Sequence, residues 1–116
     1  MDKNICILEG VIGDDAKYGK KKDNNKEYFT FSLVVNSYQK EFADDTERNF
    51  SVSYIRIFVY DTKQIEYLHK VNAKRGQRAS VFGRLQAYKA EHRGNSFITL
   101  SVICRDIKIV KTKQEQ

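Results

Sequence analysis

Apolar and polar positions alternate strictly along residues 51–61, which read SVSYIRIFVYD. Because successive side chains of a strand point to opposite faces, this pattern places Ile55, Ile57 and Val59 on one face, where they can enter a core. The opposite face carries aromatic rings and a guanidinium, supplied by Tyr54, Arg56, Phe58 and Tyr60. Exposed rings can stack on unpaired bases. The strand alone leaves open a second interpretation, in which both faces are covered and the rings are simply packed.

Four further strands are predicted, at residues 4–12, 27–37, 77–90 and 97–110. The period of two recurs in residues 27–37 and 77–90, and residues 4–12 are rich in β-branched side chains. Ahead of the fourth strand, the spacing of Ile65, Leu68 and Val71 predicts a short helix. Asp61 and Thr62 are the candidate N-caps of this helix. Five strands with one helix between the third and the fourth are not a βαβ alternation. They predict an all-β fold, a small five-stranded OB-fold barrel whose end the helix plugs and whose closure leaves no unpaired edges.

Residues 14–26, DDAKYGKKKDNNK, have no apolar periodicity and predict a turn region rich in lysine. Its five lysines are Lys17, Lys20, Lys21, Lys22 and Lys26. One interpretation is a solvated hairpin loop that its charge keeps soluble. The other is a flexible basic arm that closes over a phosphate backbone. We favour the arm, because five lysines exceed what a turn requires.

Two further connections carry many charges. Residues 41–49 form an acidic segment whose four carboxylates lack the spacing and the glycine of a calcium loop, so we interpret it as a plain loop. Residues 89–96 predict a hairpin loop with Gly94 and Asn95 as the turn signal. The basic side chains of this loop are Lys89, His92 and Arg93.

The composition fits one compact domain. The chain has 116 residues, of which 41% are hydrophobic and 31% charged, enough for a core that needs no disulfide or metal. We assign residues 1–110 to the domain and residues 111–116, KTKQEQ, to a polar tail. Cys6 and Cys104 each lie in an apolar segment and are expected to be buried free thiols without a neighbouring zinc ligand. We expect neither a cofactor nor a metal.

Charge and hydropathy indicate the kind of partner and the compartment. The net charge of +6 favours a polyanion such as nucleic acid. No apolar run approaches the about 20 residues that a membrane-spanning helix needs. The first residues, MDKNICILEGVIGDD, contain no basic leader. We therefore expect no membrane contact and a cytoplasmic, nucleoid-associated location.

Four stretches, in their order and spacing, resemble the bacterial and phage single-stranded DNA-binding protein family, whose OB-fold members coat DNA during replication. They are NICILEGVIGDD, residues 31–37, SVSYIRIFVYD and KRGQRASVFGRL, and the resemblance spans about residues 3–110. The family's first strand begins with Asn and passes through Gly to an acidic turn. Its third strand has an aromatic, an arginine and a final aromatic, and its fourth follows a Lys-x-Gly turn.

The resemblance implies which residues contact DNA. Tyr54 takes the place of the family's stacking tryptophan on the third strand, Tyr60 that of the stacking aromatic at its end, and Arg56 that of the basic neighbour. Tyr38 lies at or beside another stacking site, whereas Ala90 stands where the family has a further aromatic, which is lost here or displaced to Tyr88. The candidate DNA-binding residues are Tyr38, Tyr54, Arg56, Phe58, Tyr60, Arg84, Gln86, Tyr88, Lys89, Arg93, Lys20, Lys21 and Lys22.

The resemblance also implies partners. Family members commonly pair subunits through their first strands and form tetramers, so we expect a homo-oligomer, a tetramer with a dimer left open. The family's C-terminal extension recruits replication and repair enzymes through an acidic tip, and this sequence ends at KTKQEQ without one. Either the sequence is cut short or the protein is a tail-less relative, such as a phage, mobile-element or primosome protein.

The function that these observations favour is sequence-independent binding of single-stranded DNA, which protects it in replication, recombination and repair. The alternatives are a tail-less OB-fold subunit that chiefly contacts other proteins, and an OB-fold RNA binder. An enzyme is least favoured, because the sequence shows no nucleophile–base pair, no phosphate-cradling glycine loop and no carboxylate pair at a strand end. His69 and His92 lie far apart in sequence without evident partners.

Overall fold

A computed structural model describes residues 1–14, 16–38 and 50–110, without the side chains of Tyr38 and Phe50. These residues form six strands and one helix. In chain order they are β1 (Cys6–Ile12), β2 (Lys17–Lys20), β3 (Glu27–Tyr38), β4 (Phe50–Val59), α1 (Thr62–Lys70), β5 (Arg78–His92) and β6 (Asn95–Val110). The acidic loop predicted at residues 41–49 and the tail predicted at residues 111–116 lie outside the described residues.

The strands form one sheet in the order β1-β5-β6-β4-β3-β2. An additional pairing between β1 and β3 closes five of them into a ring, and β2 pairs with the part of β3 that β1 leaves uncovered. Strands β4 and β6 run parallel, whereas the other pairs are antiparallel. The all-β class, the OB-type order of strands and the helix between β4 and β5 confirm the predicted fold. Strand β2 is an addition that the sequence did not predict.

The inner face of the ring is the apolar face that the alternation predicts. Phe31 and Leu33 of β3 pair in register with Ile57 and Ile55 of β4, and the side chains of Phe31, Leu33 and Ile57 are fully buried. Burying a side chain of this size stabilises a fold by roughly 1.5–3 kcal/mol. The core that these residues share explains why the register of β3 on β4 is fixed, since a shift by one residue would turn every apolar side chain outward.

Helix α1 closes one end of the ring, which we call the closed end. Asp61, one of the two candidate N-caps, is the cap in the structure, and its side chain accepts a hydrogen bond of 2.9 Å from the backbone N–H of Lys63. Ile65 and Leu68 are buried in the core. Tyr67 ties the helix to β6, because its hydroxyl accepts a hydrogen bond of 2.9 Å from the backbone N–H of Ile109. The predicted helix, its cap and its role as a plug are therefore confirmed.

The opposite end of the ring, which we call the open end, presents an apolar cavity of about 320 Å³. Its lining includes Tyr54 of β4, Leu85 of β5 and Leu100 of β6, all of them exposed. The alternation of β5 places Leu85 and Ala87 on the same face as the buried Ala79 and Val81. The side chains of Leu85 and Ala87 are nevertheless exposed, because β5 and β6 continue past the ring as a two-stranded hairpin without a covering layer.

The β5–β6 hairpin is longer than the sequence predicts. Residues 89–96, predicted as a loop, continue the ladder as far as the pair His92 and Asn95. Only Arg93 and Gly94 form the turn, with positive φ angles of 52° and 80°, as the two-residue turns that suit twisted strands require. The loop prediction was wrong because a charged segment can still pair as strands when both of its faces meet solvent.

One glycine is required where β5 and β6 approach each other most closely. A Cβ atom on Gly83 would collide with the carbonyl oxygen of Ile103. The register of the two strands shifts between Phe82 and Gly83, which marks a bulge. Bulges bend a strand and increase its twist, so this position helps β5 to curve around the ring.

Both cysteines are free thiols. Cys104 is buried, as predicted, whereas Cys6 is half-buried and lines the open-end cavity. In the part of the chain that the structure describes, no helix has the length and apolarity to cross a membrane. Over the same residues, no group of three or more acidic, histidine or cysteine side chains is placed to hold a metal ion.

Candidate nucleic-acid interface

The outer face of β4 and the residue that follows the strand carry a row of aromatic side chains, which reaches from the open end to the closed end. Tyr54 is 75% exposed at the open end, and Phe58 and Tyr60 are half-buried towards the closed end. The rings of Phe58 and Tyr60 lie parallel, with an interplanar angle of 5° and centroids 6.1 Å apart. We call Tyr54, Phe58 and Tyr60 the aromatic row. Since none of its rings is sealed, the alternative of a strand covered on both faces is wrong.

Seven residues around the closed-end half of the aromatic row enclose a groove of about 310 Å³. They come from β2, from the turn after it, from β3, and from β4 with the residue that follows it: Lys17, Lys21, Tyr28, Thr30, Arg56, Phe58 and Tyr60. The register explains this convergence, because Thr30 lies opposite both Lys17 and Phe58. The groove is therefore lined by both aromatic and cationic side chains.

A lysine lies directly over one ring of the groove. The ammonium nitrogen of Lys21 is 4.6 Å from the centroid of the Tyr60 ring, a distance typical of a cation–π contact. Lys20 and Lys22 flank it and are exposed. Positive charge and an aromatic face therefore meet at the same place, although the two residues are far apart in the sequence.

Arg56, which lines the groove, forms an ion pair with a carboxylate. Its Nη2 lies 3.3 Å from Oδ2 of Asp14. The other oxygen of Asp14, Oδ1, accepts a hydrogen bond of 2.7 Å from the backbone N–H of Ser32, which is the register partner of Arg56 on β3. Asp14 thus links the guanidinium to the backbone of the neighbouring strand.

Strand β2 is fixed to the rest of the fold through Tyr18. A hydrogen bond with the Glu27 carboxylate raises the pKa of Tyr18 above its ordinary value. The Tyr18 ring meets the ring of His69 edge-on at 4.9 Å, and His69 in turn meets the buried Phe29 at 5.6 Å. These contacts join β2 to β3 and α1. Lys17 and Lys20 therefore lie on a paired strand and not in the predicted turn region, whereas Lys21 and Lys22 follow that strand.

The β5–β6 hairpin carries a second set of candidate residues. Arg84, Gln86 and Tyr88 are exposed on one face of β5, where Nη1 of Arg84 donates a hydrogen bond to Oε1 of Gln86. Phe97, which is also exposed, lies directly opposite Ala90. An aromatic ring is therefore present on the adjoining strand, beside the position at which the resemblance leaves only an alanine.

The model of the single-strand binding protein family matches residues 3–110 of this chain, which is the span that the resemblance predicts. This chain belongs to that family. Among curated protein sequences, none matches this chain.

Solved structures of family members share the fold. A complex of the Plasmodium falciparum protein with single-stranded DNA is 21% identical, with a TM-score of 0.82 over 96% of this chain and 97% of that one. The mitochondrial single-stranded DNA-binding protein Rim1 from S. cerevisiae is 21% identical, with a TM-score of 0.67 over 96% and 98%. A small single-stranded DNA-binding protein from Streptomyces coelicolor is 14% identical, with a TM-score of 0.70 over 95% and 96%.

The residues that the family resemblance selects fall into two groups in space. The groove and the aromatic row bring together Tyr54, Arg56, Phe58, Tyr60 and Lys21, with Lys20 and Lys22 at the edge. The hairpin holds Arg84, Gln86, Tyr88 and Lys89, with Arg93 in its turn. The side chain of Tyr38 lies outside the described residues.

The candidate list left out five residues of these surfaces: Asp14, Lys17, Tyr28, Thr30 and Phe97. Of these, Lys17 was counted only among the lysines of the turn region. The alternation of β3 is a signal for Tyr28 and Thr30, because both share the outward face of that strand. Phe97 could have been found from the hairpin register once the short turn is recognised. Asp14 gave no signal, since its partner Arg56 lies 42 residues away along the chain.

Proposed function

We propose that this protein binds single-stranded DNA with little dependence on base sequence. The observation that carries the proposal is the aromatic row, whose rings reach solvent beside the cations of the groove. A base that stacks on such a ring contributes about 1–3 kcal/mol whatever its identity, because every base has a π-face. Duplex DNA hides these faces, so the protein should prefer unpaired strands.

The phosphates of the bound strand meet the lysines around the groove. Lys17, Lys20, Lys21 and Lys22 lie on β2 and the turn after it, and all four are exposed. Each phosphate that a lysine neutralises releases counterions, so the logarithm of the binding constant should fall with the logarithm of salt concentration by about 0.7 per contact. This charge contribution is independent of sequence, like the stacking.

The β5–β6 hairpin lengthens the path of the strand. Tyr88 and Phe97 offer rings beyond the ring of strands, and Arg84 and Gln86 offer hydrogen-bond donors on the same side as Tyr88. We include Lys89 and Arg93 as phosphate contacts near the tip of the hairpin, and Tyr38 as a stacking residue. In this arrangement the groove holds one part of the strand firmly while the hairpin follows the next part.

The biological role that we propose is to coat and protect single-stranded DNA during replication, recombination and repair. Membership of the single-strand binding protein family supports this role. The single-stranded DNA in the Plasmodium complex, which shares the fold of this chain, supports the choice of DNA as ligand. Replication proteins are then the expected neighbours of the complex.

We also propose that the protein works as a homo-oligomer, a tetramer, with a dimer as the alternative. Strand β1 pairs with β5 along Cys6–Val11 but with β3 only at Val11 and Ile12, so one edge of its first half has no partner strand among the described residues. Ile5 and Ile7 beside this edge are 64% and 72% exposed. An exposed apolar edge is a ready site for pairing with another chain.

Titration with oligo-dT at low salt tests the proposal. We expect saturable quenching of tyrosine fluorescence, and light scattering on the same samples should show an assembly of two or four chains with and without the oligonucleotide. A duplex of the same length should compete weakly. The absence of quenching at low salt, or equal affinity for duplex, would contradict the proposal.

A second candidate function is contact with another protein. The exposed Ile98 and Leu100 on the hairpin, beside the open-end cavity, favour it, since apolar side chains in a cluster mark interaction surfaces. Under this function oligo-dT would leave tyrosine fluorescence unchanged. An RNA-binding function would instead give quenching by oligo-dT that oligo-U reverses at equal concentration.

A further inference from the structure

We propose that Arg56 contacts the edge of a base in the bound strand, not a phosphate, and that it gives the groove a preference for guanine. The inference rests on the proposed binding of single-stranded DNA and refines it, because it separates the cations of the groove into two kinds. Stacking and phosphate contacts are indifferent to sequence. A guanidinium directed at a base edge is not.

The first step is the charge that already compensates Arg56. Its Nη2 lies 3.3 Å from the Asp14 carboxylate, and both side chains are only partly exposed, at 39% and 37%. A phosphate that approached this guanidinium would also approach the carboxylate. Because like charges repel and the repulsion grows where solvent is partly excluded, the pair is a poor phosphate site.

The second step is the contrast with the lysines of the same groove. Within the described part of the chain, neither Lys17 nor Lys21 forms an ion pair. The Lys21 ammonium instead rests over the Tyr60 ring at 4.6 Å. A base that stacks on Tyr60 would displace this ammonium towards the adjoining phosphate. Phosphate neutralisation therefore falls to the lysines.

The third step is the position and the remaining donors of Arg56. The side chain lines the same groove as Phe58 and Tyr60. A base stacked on either ring would therefore bring its edge within reach of the guanidinium. Over the described residues, Arg56 makes one hydrogen bond, to Asp14, so other N–H groups of its guanidinium stay available. The groove, at about 310 Å³, has room for one nucleobase with its sugar.

The chemistry of the base edges then selects guanine. A guanidinium pairs best with two adjacent acceptors, which guanine offers at O6 and N7. Adenine has a donor, its amino group, beside N7, and it therefore meets the guanidinium with only one acceptor. Asp14 contributes by fixing the orientation of Arg56, which makes it a positioning residue.

The experiment compares two single-stranded oligonucleotides of equal length, repeats of TTG and repeats of TTA, so that a shift of at most one nucleotide brings a purine to the groove. Fluorescence anisotropy gives the affinity for each as a function of salt concentration. For the unmodified protein we expect an affinity about fivefold higher for the guanine repeat. Arg56→Gln should bring this ratio close to one and leave the salt slope unchanged.

The matched control is Lys21→Gln, which removes a cation from the same groove. It should keep the guanine preference and reduce the salt slope by about 0.7. The pattern opposite to this one, with a lower slope for Arg56→Gln and an unchanged ratio, would overturn the proposal. So would equal affinity of the unmodified protein for both repeats.

Asp14→Asn keeps the test decisive if Arg56→Gln proves unstable. The amide can still accept from the Ser32 N–H but no longer neutralises Arg56. We expect a salt slope steeper by about 0.7 and a smaller guanine preference, a gain that misfolding cannot produce. An unchanged slope would contradict the proposal. Failure of the unmodified protein to bind either oligonucleotide would instead contradict the proposed function itself.

Discussion

The two ends of the ring differ in how they hold their aromatic side chains. At the closed end, Tyr60 stacks beside Phe58 and lies under Lys21. At the open end, Tyr54 is 75% exposed above an apolar cavity that no described segment covers. Tyr54 lies in β4, and Tyr60 directly follows the end of that strand. The side chain of Tyr60 is thus part of a groove, whereas that of Tyr54 is mostly exposed to solvent.

This difference separates the residues that bind from the residues that stabilise. The closed end combines the plug of α1 with the groove, so changes there affect both the free energy of unfolding and the affinity for DNA. The open end has little packing to lose, so changes there should affect affinity or assembly alone. The predictions that follow test this separation.

The largest expected effect comes from the helix plug. Leu68→Ala removes a fully buried side chain at the closed end and should lower the free energy of unfolding by about 2–5 kcal/mol. Leu100→Ala at the open end, where the side chain is 56% exposed, should lower it by about 0.5 kcal/mol or less. Urea denaturation followed by circular dichroism measures both. Similar losses for the two variants would remove the distinction between the ends.

The next effect concerns the two tyrosines. Tyr54→Ala should weaken binding of oligo-dT by about 1–3 kcal/mol and leave the melting temperature unchanged, because the ring makes few contacts. Tyr60→Ala should weaken binding by a similar amount and also lower the melting temperature, since Phe58 and Lys21 lose a partner. Anisotropy titration and thermal melting give the two quantities. A lower melting temperature for Tyr54→Ala would show that this ring stabilises the fold.

The two cysteines differ in burial, and the buried one makes the stability of the fold depend on pH. Burial, with a smaller contribution from the nearby Asp106 charge, raises the pKa of the Cys104 thiol from 9.0 to about 12. Between these values the unfolded thiol ionises while the folded one keeps its proton. The contribution of Cys104 to the free energy of unfolding is therefore fully present below pH 9. It is lost as pH rises towards 12, by at most about 1.4 kcal/mol per pH unit.

One variant isolates this contribution. Cys104→Ala should make the alkaline loss of stability less steep than in the unmodified protein. Denaturation at a series of pH values measures the slope. A thiol reagent should modify the half-buried Cys6 before the buried Cys104. Equal rates of modification would mean that Cys104 is not sealed in the core.

The smallest effect is expected at the tip of the β5–β6 hairpin. Gly94 has a φ of 80°, so Gly94→Ala should destabilise the turn by about 1 kcal/mol. Arg93→Asn at the preceding position should have the opposite sign, because Asn tolerates positive φ. Amide hydrogen exchange in residues 89–97 should report both changes while the global melting temperature stays constant. A change in global stability would mean that the hairpin belongs to the cooperative core.

The sequence was informative where the structure depends on local pattern. The alternation of β3 and β4 predicted the buried face correctly, since Phe31 and Ile57 are fully buried while Tyr54 reaches solvent. The cap at Asp61 was predicted because capping depends on a side chain and the first turn alone. These features need no knowledge of distant residues.

The features that sequence could not predict depend on distant partners. Strand β2, KYGK, has no apolar alternation and forms because β3 offers it an edge. The Asp14–Arg56 pair joins two segments that only the fold brings together. The exposure of Leu85 could not be predicted, because the alternation of β5 says nothing about where the ring of strands ends. Charge placement around the groove was therefore the least predictable part of the site.

The central claim is that the aromatic row of β4 holds unpaired bases. The most direct test is the affinity of a Tyr54→Ala/Tyr60→Ala double variant for fluorescent oligo-dT at low salt, beside a Tyr54→Phe/Tyr60→Phe variant that keeps both rings. We predict that the alanine variant binds at least about tenfold more weakly than the unmodified protein, while the phenylalanine variant retains its affinity. Unchanged affinity of the alanine variant would contradict the account.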